Sequence, residues 1–474
     1  MQGGARIGAP PFFMPAVLAP ASLCGTRVPI PPRKPSMTPP TAKPPKVPAP
    51  HAHAAHPAAP VPPATPAAPA GPAQPIPAAR DLGIMQGFPP APDSIPGPSN
   101  WDLPPFNRWS FCNMRNLFPT ADVPRGSGPV RALPPAQQEL RSIRFPTLAG
   151  PQQTIGDWLN TSYTDGFMVI SRGRTVHESY HGDLGALNPH LSQSVAKSVV
   201  GTLAGVLHGE GALDLDAPMP SLVPELAQSG YAGATLRQVL DMRSGVRFNE
   251  DYGTPGSDMT RIDIASGWRP AEGGHPPATI RDVILTLPQE RAHGEAFHYR
   301  SIETDVIAWA LERAAGASLA DLLSSRIWSR MGAERDAYFT VDGAGTALAD
   351  GGFNATMRDY ARLGLLLLEG GAWGGAQIVP EDWIRASASG DRAVFGAPYT
   401  ATSPKGAYSR QWWIHDAARG DFMARGVFGQ LIYLDPKTEF LAVKMSSWPD
   451  FLIHSYTVDM LSAVTAIRDA LAPA

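Results

Sequence analysis

Cysteine is almost absent. The 474-residue chain has two, Cys24 and Cys112, so neither a disulfide framework nor a CxxC metal site can be built from it. Charge is sparse as well: 17% of residues are charged, and the formal net charge is −3. With no basic stripe and no interleaved aromatics, nucleic acid drops out as a partner class. Also missing is any run of about 20 apolar residues, which excludes a membrane-spanning helix. The fold must rest on an apolar core, and the 43% of hydrophobic residues can supply one in a chain this long. The opening MQGGARIGAPPFFMPAVLAPASLCG loosely imitates an export signal. Prolines interrupt its apolar stretch and Leu23 precedes Cys24, so a cytoplasmic location is expected over export.

Proline is the opposite case, with 52 residues unevenly placed. Residues 26 to about 82 are a proline–alanine tract without the aromatic and branched side chains that offset ordering entropy. Residues 1–84 are therefore expected to form an extended, disordered N-terminal extension. His51, His53 and His56 within it could meet a metal ion, although such clusters in a tract of this kind are usually incidental. MQGFPPAPDS offers a second candidate translation start at Met85.

Aromatic residues return between Asn100 and Gly126, with Trp101, Phe106, Trp109 and Phe111. Residues 85–150 accordingly read as an arm lying on a domain that occupies 151–474. FMVISRGRTVHESYHG (Phe167–Gly182) alternates around a glycine turn, the pattern of a hairpin. ATLRQVLDMRSG, with Gly245 as its cap, ETDVIAWALERAAG, ending at Gly316, and MRDYARLGLLLLEGG read as helices. GQLIYLDPKTEFLAVKMSSW (Gly429–Trp448) is two strands around a turn at Asp435–Thr438. Strands at both ends with helices between predict an α+β domain. Its antiparallel sheet would be formed from both chain ends and flanked by helices, with a mostly helical insertion over about 205–345.

The chemistry concentrates in LSQSVAKSVVGTLAGVLHGEG (Leu191–Gly211). Ser194 and Lys197 stand three apart at a helix start, on one face. Free N–H groups and the helix dipole favour negative charge on the serine oxygen, and with a partly dry cleft they predict a depressed lysine pKa. A neutral lysine can take the serine proton, which activates the nucleophile. The plain alternative is a capping serine beside a solvated lysine. This is the only Ser-x-x-Lys in the chain, and a second element accompanies it. Tyr299-Arg300-Ser301 precedes a helix, in the place where serine–lysine hydrolases carry a proton-shuttling tyrosine, and no other tyrosine here has serine or asparagine two residues on.

Taken with NRWSFCNMRNLFPTADVPRG, LRQVLDMRSGVRFNEDYG, FHYRSIETDVIAWALERAAG, YSRQWWIHD and DPKTEFLAVKMSSWPD, these motifs resemble a known group. The chain is similar to the serine β-lactamase and penicillin-binding-protein superfamily. Its esterase-like class C branch fits best, and within it the 6-aminohexanoate-dimer (nylon-oligomer) hydrolases. The resemblance implies a β-lactamase-like fold, with Ser194 as nucleophile, Lys197 as its base and Tyr299 as proton shuttle. It implies an oxyanion hole from the N–H groups of Ser194 and Val427. It places substrate contacts at Tyr252, Asp263, Ser301, Asp350 and Trp413. Asp263 would face a substrate ammonium, Tyr252 would close over the scissile amide, and Trp413 would pack on the substrate chain.

Departures from the family pattern matter as much. Phe428 stands where many relatives have histidine, which dries that side of the cleft and argues against anionic substrates. Lys437-Thr438 lacks the glycine of the penicillin-recognising Lys-Thr-Gly and lies in a turn. Leu452 replaces an acid found in some efficient amidases. Amide or ester hydrolysis is thus expected, with no cofactor and no metal; the partner is a small-molecule substrate, and a homodimer is an assembly known in the family. The alternatives are a promiscuous short-chain carboxylesterase, a D-Ala-D-Ala carboxypeptidase or β-lactamase, and a non-catalytic binding protein on the same fold.

Overall fold

The structure, a computed structural model, describes residues 75–271 and 278–472. Cys24, the three tract histidines and the proline–alanine tract up to residue 74 lie outside the described residues. In chain order the main elements begin with β1 (Thr120–Val123), the hairpin β2 (Thr164–Ser171) and β3 (Arg174–Tyr180), and β4 (Pro189–Leu191). Helix α1 (Val195–Gly209) opens a helical stretch with α2 (Leu236–Leu240), α3 (Asp258–Ala265), α4 (Ile280–Leu285) and α5 (Ile302–Ala315). There follow β5 (Ala337–Thr340), β6 (Phe353–Thr356), α6 (Met357–Leu368), β7 (Ala407–Ser409) and β8 (Trp412–Asp416). The last elements are β9 (Asp421–Gly426), β10 (Gln430–Asp435), β11 (Phe440–Ser446) and α7 (His454–Leu471).

The main sheet has the order β7-β8-β9-β10-β11-β2-β3, and all its ladders are antiparallel. The two chain ends meet where β11 pairs with β2, with Val443 opposite Met168. Every residue of β2, β10 and β11 is buried. Strands dry on both faces lose the in–out alternation and need cover on each side. Helix α6 packs on β10, β11 and β2, and α1 on β8, β9 and β10. Gly364 lets α6 approach closely, since a Cβ there would sit 2.6 Å from Leu441 Cδ1. Helix α1 is buried almost all round, which explains its run of small and branched residues.

A second sheet, β1-β5-β6-β4, joins the arm to the helical side. The arm is bound tightly, with Trp101, Phe111, Met114 and Phe118 in the core and the Trp101 indole N–H donating to the Trp268 carbonyl at 2.9 Å. The extension predicted to run free to residue 84 docks earlier than that. The Ile76 N–H bonds the Asn160 carbonyl at 3.2 Å, Arg80 pairs with Asp183, and Ala78, Ala79 and Ile84 are buried. The segment is held by buried Ala78, Ala79 and Ile84, by the Ile76 backbone and by the Arg80–Asp183 pair, which a count dominated by proline and alanine conceals.

Helix α2 is also shorter than predicted. Thr235 and Gln238 form a capping box, but the helix stops at Leu240, and Met242 turns left-handed at φ 55°. Asp241 accepts the Arg410 N–H at 2.8 Å, a contact made from 169 residues away. Gly245 is a close-approach turn, not a cap: a Cβ would lie 2.5 Å from the Arg291 carbonyl oxygen. Among the described residues no helix is long and apolar enough to cross a membrane.

Candidate active site

Ser194 sits at the head of α1, preceded by Gln193 in the left-handed region at φ 49°. Its hydroxyl does not cap the helix. Instead it accepts a hydrogen bond from Lys197 Nζ at 3.0 Å. Lys197, 1% exposed, also donates to the Asp350 carbonyl at 2.7 Å, and Asp350 Oδ2 lies 3.8 Å away. The ring centre of Tyr299 lies 5.3 Å from the ammonium. Fold closure therefore brings together the three residues singled out in the sequence.

The electrostatics differ from the sequence expectation. Burial alone lowers the Lys197 pKa, but Tyr299, Asp350, Glu250 and Asp305 outweigh it, and the net direction is upward. Lysine is thus held as a cation at rest, contrary to the depressed value expected from a helix terminus in a dry cleft. The three carboxyls that contribute, Asp350, Glu250 and Asp305, all stand far from it in sequence. Burial raises Tyr299, although the Lys197 charge and the Ser194 and Lys197 hydrogen bonds pull it down. Asp305, raised by burial and by Asp350, accepts the Ala349 N–H at 2.8 Å and so braces the loop that carries Asp350.

The backbone expected to complete an oxyanion hole follows β9. Gly426 closes the last rung with Gln430, and a Cβ on it would lie 2.6 Å from the Ser192 carbonyl. Only glycine permits this approach of the strand to the serine loop. Val427 then leaves the sheet, and Phe428 turns left-handed at φ 59°. Among the described residues neither the Ser194 nor the Val427 N–H has a backbone acceptor, and both residues line the two cavities that meet here.

The larger cavity, about 410 Å³, is walled by Tyr299, Trp413, Tyr399, Arg425, Trp448 and Leu452 among others. Trp413 stacks on Tyr299 at 5.2 Å between ring centres, so it braces the Tyr299 ring as well as lining the cavity. Leu452 is exposed at the rim. The smaller cavity, about 30 Å³, carries the acids Asp102, Asp263 and Asp350 together with Ser301, Trp268 and Phe428. Asp263 is pushed up to about 8 by burial, with Asp102, Asp350 and Glu250 adding to the rise and Arg269 opposing it. Arg269 grips Asp102 through two nitrogens and keeps its Nε 3.9 Å from Asp263 Oδ2.

Tyr252 lines both cavities, stacks on Phe451 at 5.3 Å and donates its hydroxyl to Glu250 at 2.8 Å. Ser301 bonds the same carboxyl through its N–H, at 2.8 Å, and its hydroxyl. Asp350 divides its contacts, with its carbonyl on Lys197 and its side chain beside the small cavity.

A family model for beta-lactamase matches residues 163–452. The chain belongs to the beta-lactamase family. It is a homologue of 6-aminohexanoate-dimer hydrolase of Paenarthrobacter ureafaciens, with 37% identity over 365 residues, 77% of this chain and 91% of that one. A Bacillus anthracis structure provisionally described as a 6-aminohexanoate-dimer hydrolase superposes with a TM-score of 0.74 at 28% identity, covering 80% of this chain and 98% of that one. The structure of EstCE1, a hydrolase with promiscuous acyltransferase activity, shares the fold with a TM-score of 0.53 at 15% identity, covering 67% and 96% of the two chains.

This beta-lactamase-family serine hydrolase contains site groups that motif reading passed over. Glu250 stands two residues before Tyr252 inside a quoted motif, and it ties Tyr252 to Ser301. Asp102 comes from the arm, which sequence assigned only a packing role. Arg425 stands one residue before Gly426, in the wall of the large cavity. No pattern rule marks a lone glutamate, aspartate or arginine; only the folded position does.

Proposed function

We propose that this protein hydrolyses linear amides of the 6-aminohexanoate-dimer type, and short-chain esters, through an acyl-enzyme on Ser194. The observation that carries the reading is the convergence of Ser194, Lys197 and Tyr299 where the two cavities meet. Ser194 Oγ attacks the carbonyl carbon, and its proton passes to the Lys197–Tyr299 pair. The Ser194 and Val427 N–H groups hold the tetrahedral oxyanion. Tyr299 returns the proton to the leaving nitrogen or oxygen as the C–N or C–O bond breaks. Water then attacks the acyl carbon with the pair accepting its proton, and as the acyl–Oγ bond breaks the pair returns that proton to Ser194 Oγ and the acid leaves.

The acid-lined small cavity favours an amino-terminated acyl group, with Asp263 facing the ammonium. The apolar walls and the exposed Leu452 at the rim favour a second reading, a carboxylesterase of broad tolerance. A panel of linear 6-aminohexanoate dimer, short acyl esters and a chromogenic cephalosporin separates them, with Ser194→Ala as control. That variant should lose several orders of magnitude in rate, because no acyl-enzyme forms. A serine-directed phosphonate should add once by intact mass, on Ser194. An active alanine variant, or an adduct elsewhere, sinks the proposal.

A further inference from the structure

One cation in the wall of the large cavity has no partner. Arg425 is the next-to-last residue of β9, two before Val427. Among the described residues its guanidinium makes no ion pair and no hydrogen bond; it lies over the ring of Trp413, 5.1 Å from the ring centre. Arg425 is half-buried with no anion beside it, and desolvation draws its pKa down to about 10. The one carboxyl of this cavity, Glu250, is already taken up by Tyr252 and Ser301. The remaining acids, Asp102, Asp263 and Asp350, line the other cavity, which Arg425 does not. The acids of the small cavity and the arginine of the large one thus lie on opposite sides of Ser194.

The position of Tyr299 says which half of a substrate meets Arg425. Tyr299 lines the large cavity and not the small one. The group it protonates on departure therefore leaves into the large cavity. Resting on the amide-hydrolase reading above, we propose that Arg425 binds a carboxylate carried by the leaving half of the substrate. It is a specificity-determining residue, and it makes an amide of an amino acid the preferred substrate class. The planar guanidinium can meet both oxygens of a carboxylate while Trp413 supports its face. Phe428, which by itself argues against anions, lines only the small cavity, so it does not oppose a carboxylate here.

The test compares kcat/KM for linear 6-aminohexanoate dimer with the same dimer whose terminal carboxyl is a carboxamide. The wild-type protein should prefer the carboxylate by about ten- to a hundredfold, the range of a hydrogen bond to a charged group. In Arg425→Met and Arg425→Gln the ratio should fall close to one, and Arg425→Lys should restore part of it. Because each ratio is taken within one protein, general loss of folded enzyme cancels. A ratio near one in the wild type, or an unchanged ratio in Arg425→Met, overturns the proposal. If the wild type cleaves neither dimer, the amide reading fails by itself. Arg425 is then read by inhibition of short-ester hydrolysis, where hexanoate should bind more tightly than hexanamide in the wild type and equally in Arg425→Met. Equal inhibition in the wild type rejects the carboxylate site.

Discussion

The backbone carbonyl of Asp350 accepts a hydrogen bond from Lys197 at 2.7 Å, across 153 residues of chain. Lysine is thereby aimed at Ser194 by a group that carries no side-chain signature. Tyr299, Asp350, Glu250 and Asp305 together outweigh the burial of its ammonium and raise its pKa.

That charge has a consequence for pH dependence. Lys197 is raised above its ordinary value and Tyr299 is raised as well, so the base form of the pair is scarce at neutral pH. Values of kcat/KM for a neutral ester should climb through the alkaline range without levelling near neutrality. A plateau that begins close to pH 7 would mean a depressed lysine and would contradict the carboxyl cluster.

Tyr299→Phe deletes one hydroxyl while keeping the stack on Trp413. The loss should be roughly 10²–10⁴-fold on an amide, the usual scale of general acid–base catalysis. On an activated ester it should be smaller, because that leaving group needs no proton. Equal losses on the two substrates, measured side by side, would assign Tyr299 a structural task.

Asp263 is mostly protonated below about pH 8, so it must lose its proton to receive an ammonium. The KM of an amino-terminated dimer should therefore fall as pH rises from 6 towards 8, while the amine itself stays charged to about pH 10. Asp263→Asn should raise that KM by roughly tenfold above pH 8, the loss of a charge-assisted hydrogen bond, and abolish its pH dependence. A neutral ester should show neither effect. If ester and amine substrates suffer alike, Asp263 shapes the fold and does not choose the substrate.

Truncation distinguishes the docked segment from the tract before it. Removing residues 1–84 takes away Ala78, Ala79 and Ile84 from buried positions, together with the Arg80–Asp183 pair, and should lower the thermal midpoint. Removing residues 1–74 should leave it nearly unchanged, since that composition has little to bury. Equal midpoints for the two truncated chains would show that Ile76–Ile84 adds nothing to stability.

Local pattern was enough for much of this protein. The Arg172-Gly173 turn marks the β2–β3 hairpin, because a turn that accepts positive φ is a property of neighbouring residues, whereas β2, buried on both faces, does not show the alternation expected of it. The spacing of Ser194 and Lys197 specifies one helix face for the same reason. Tyr299 was legible through its short motif, and Val427 through resemblance to relatives. Tertiary structure alone decided the rest. The length of α2 depends on Asp241 meeting Arg410, and the docking of Ile76 depends on Asn160. The charge state of Lys197 depends on Glu250, Asp305 and Asp350, which only folding gathers around it. Arg425 becomes a site residue because no acid was folded beside it. Periodicity and motif spacing encode what near neighbours do. Burial, and the field that buried charges set up, are sums over residues far apart in the chain.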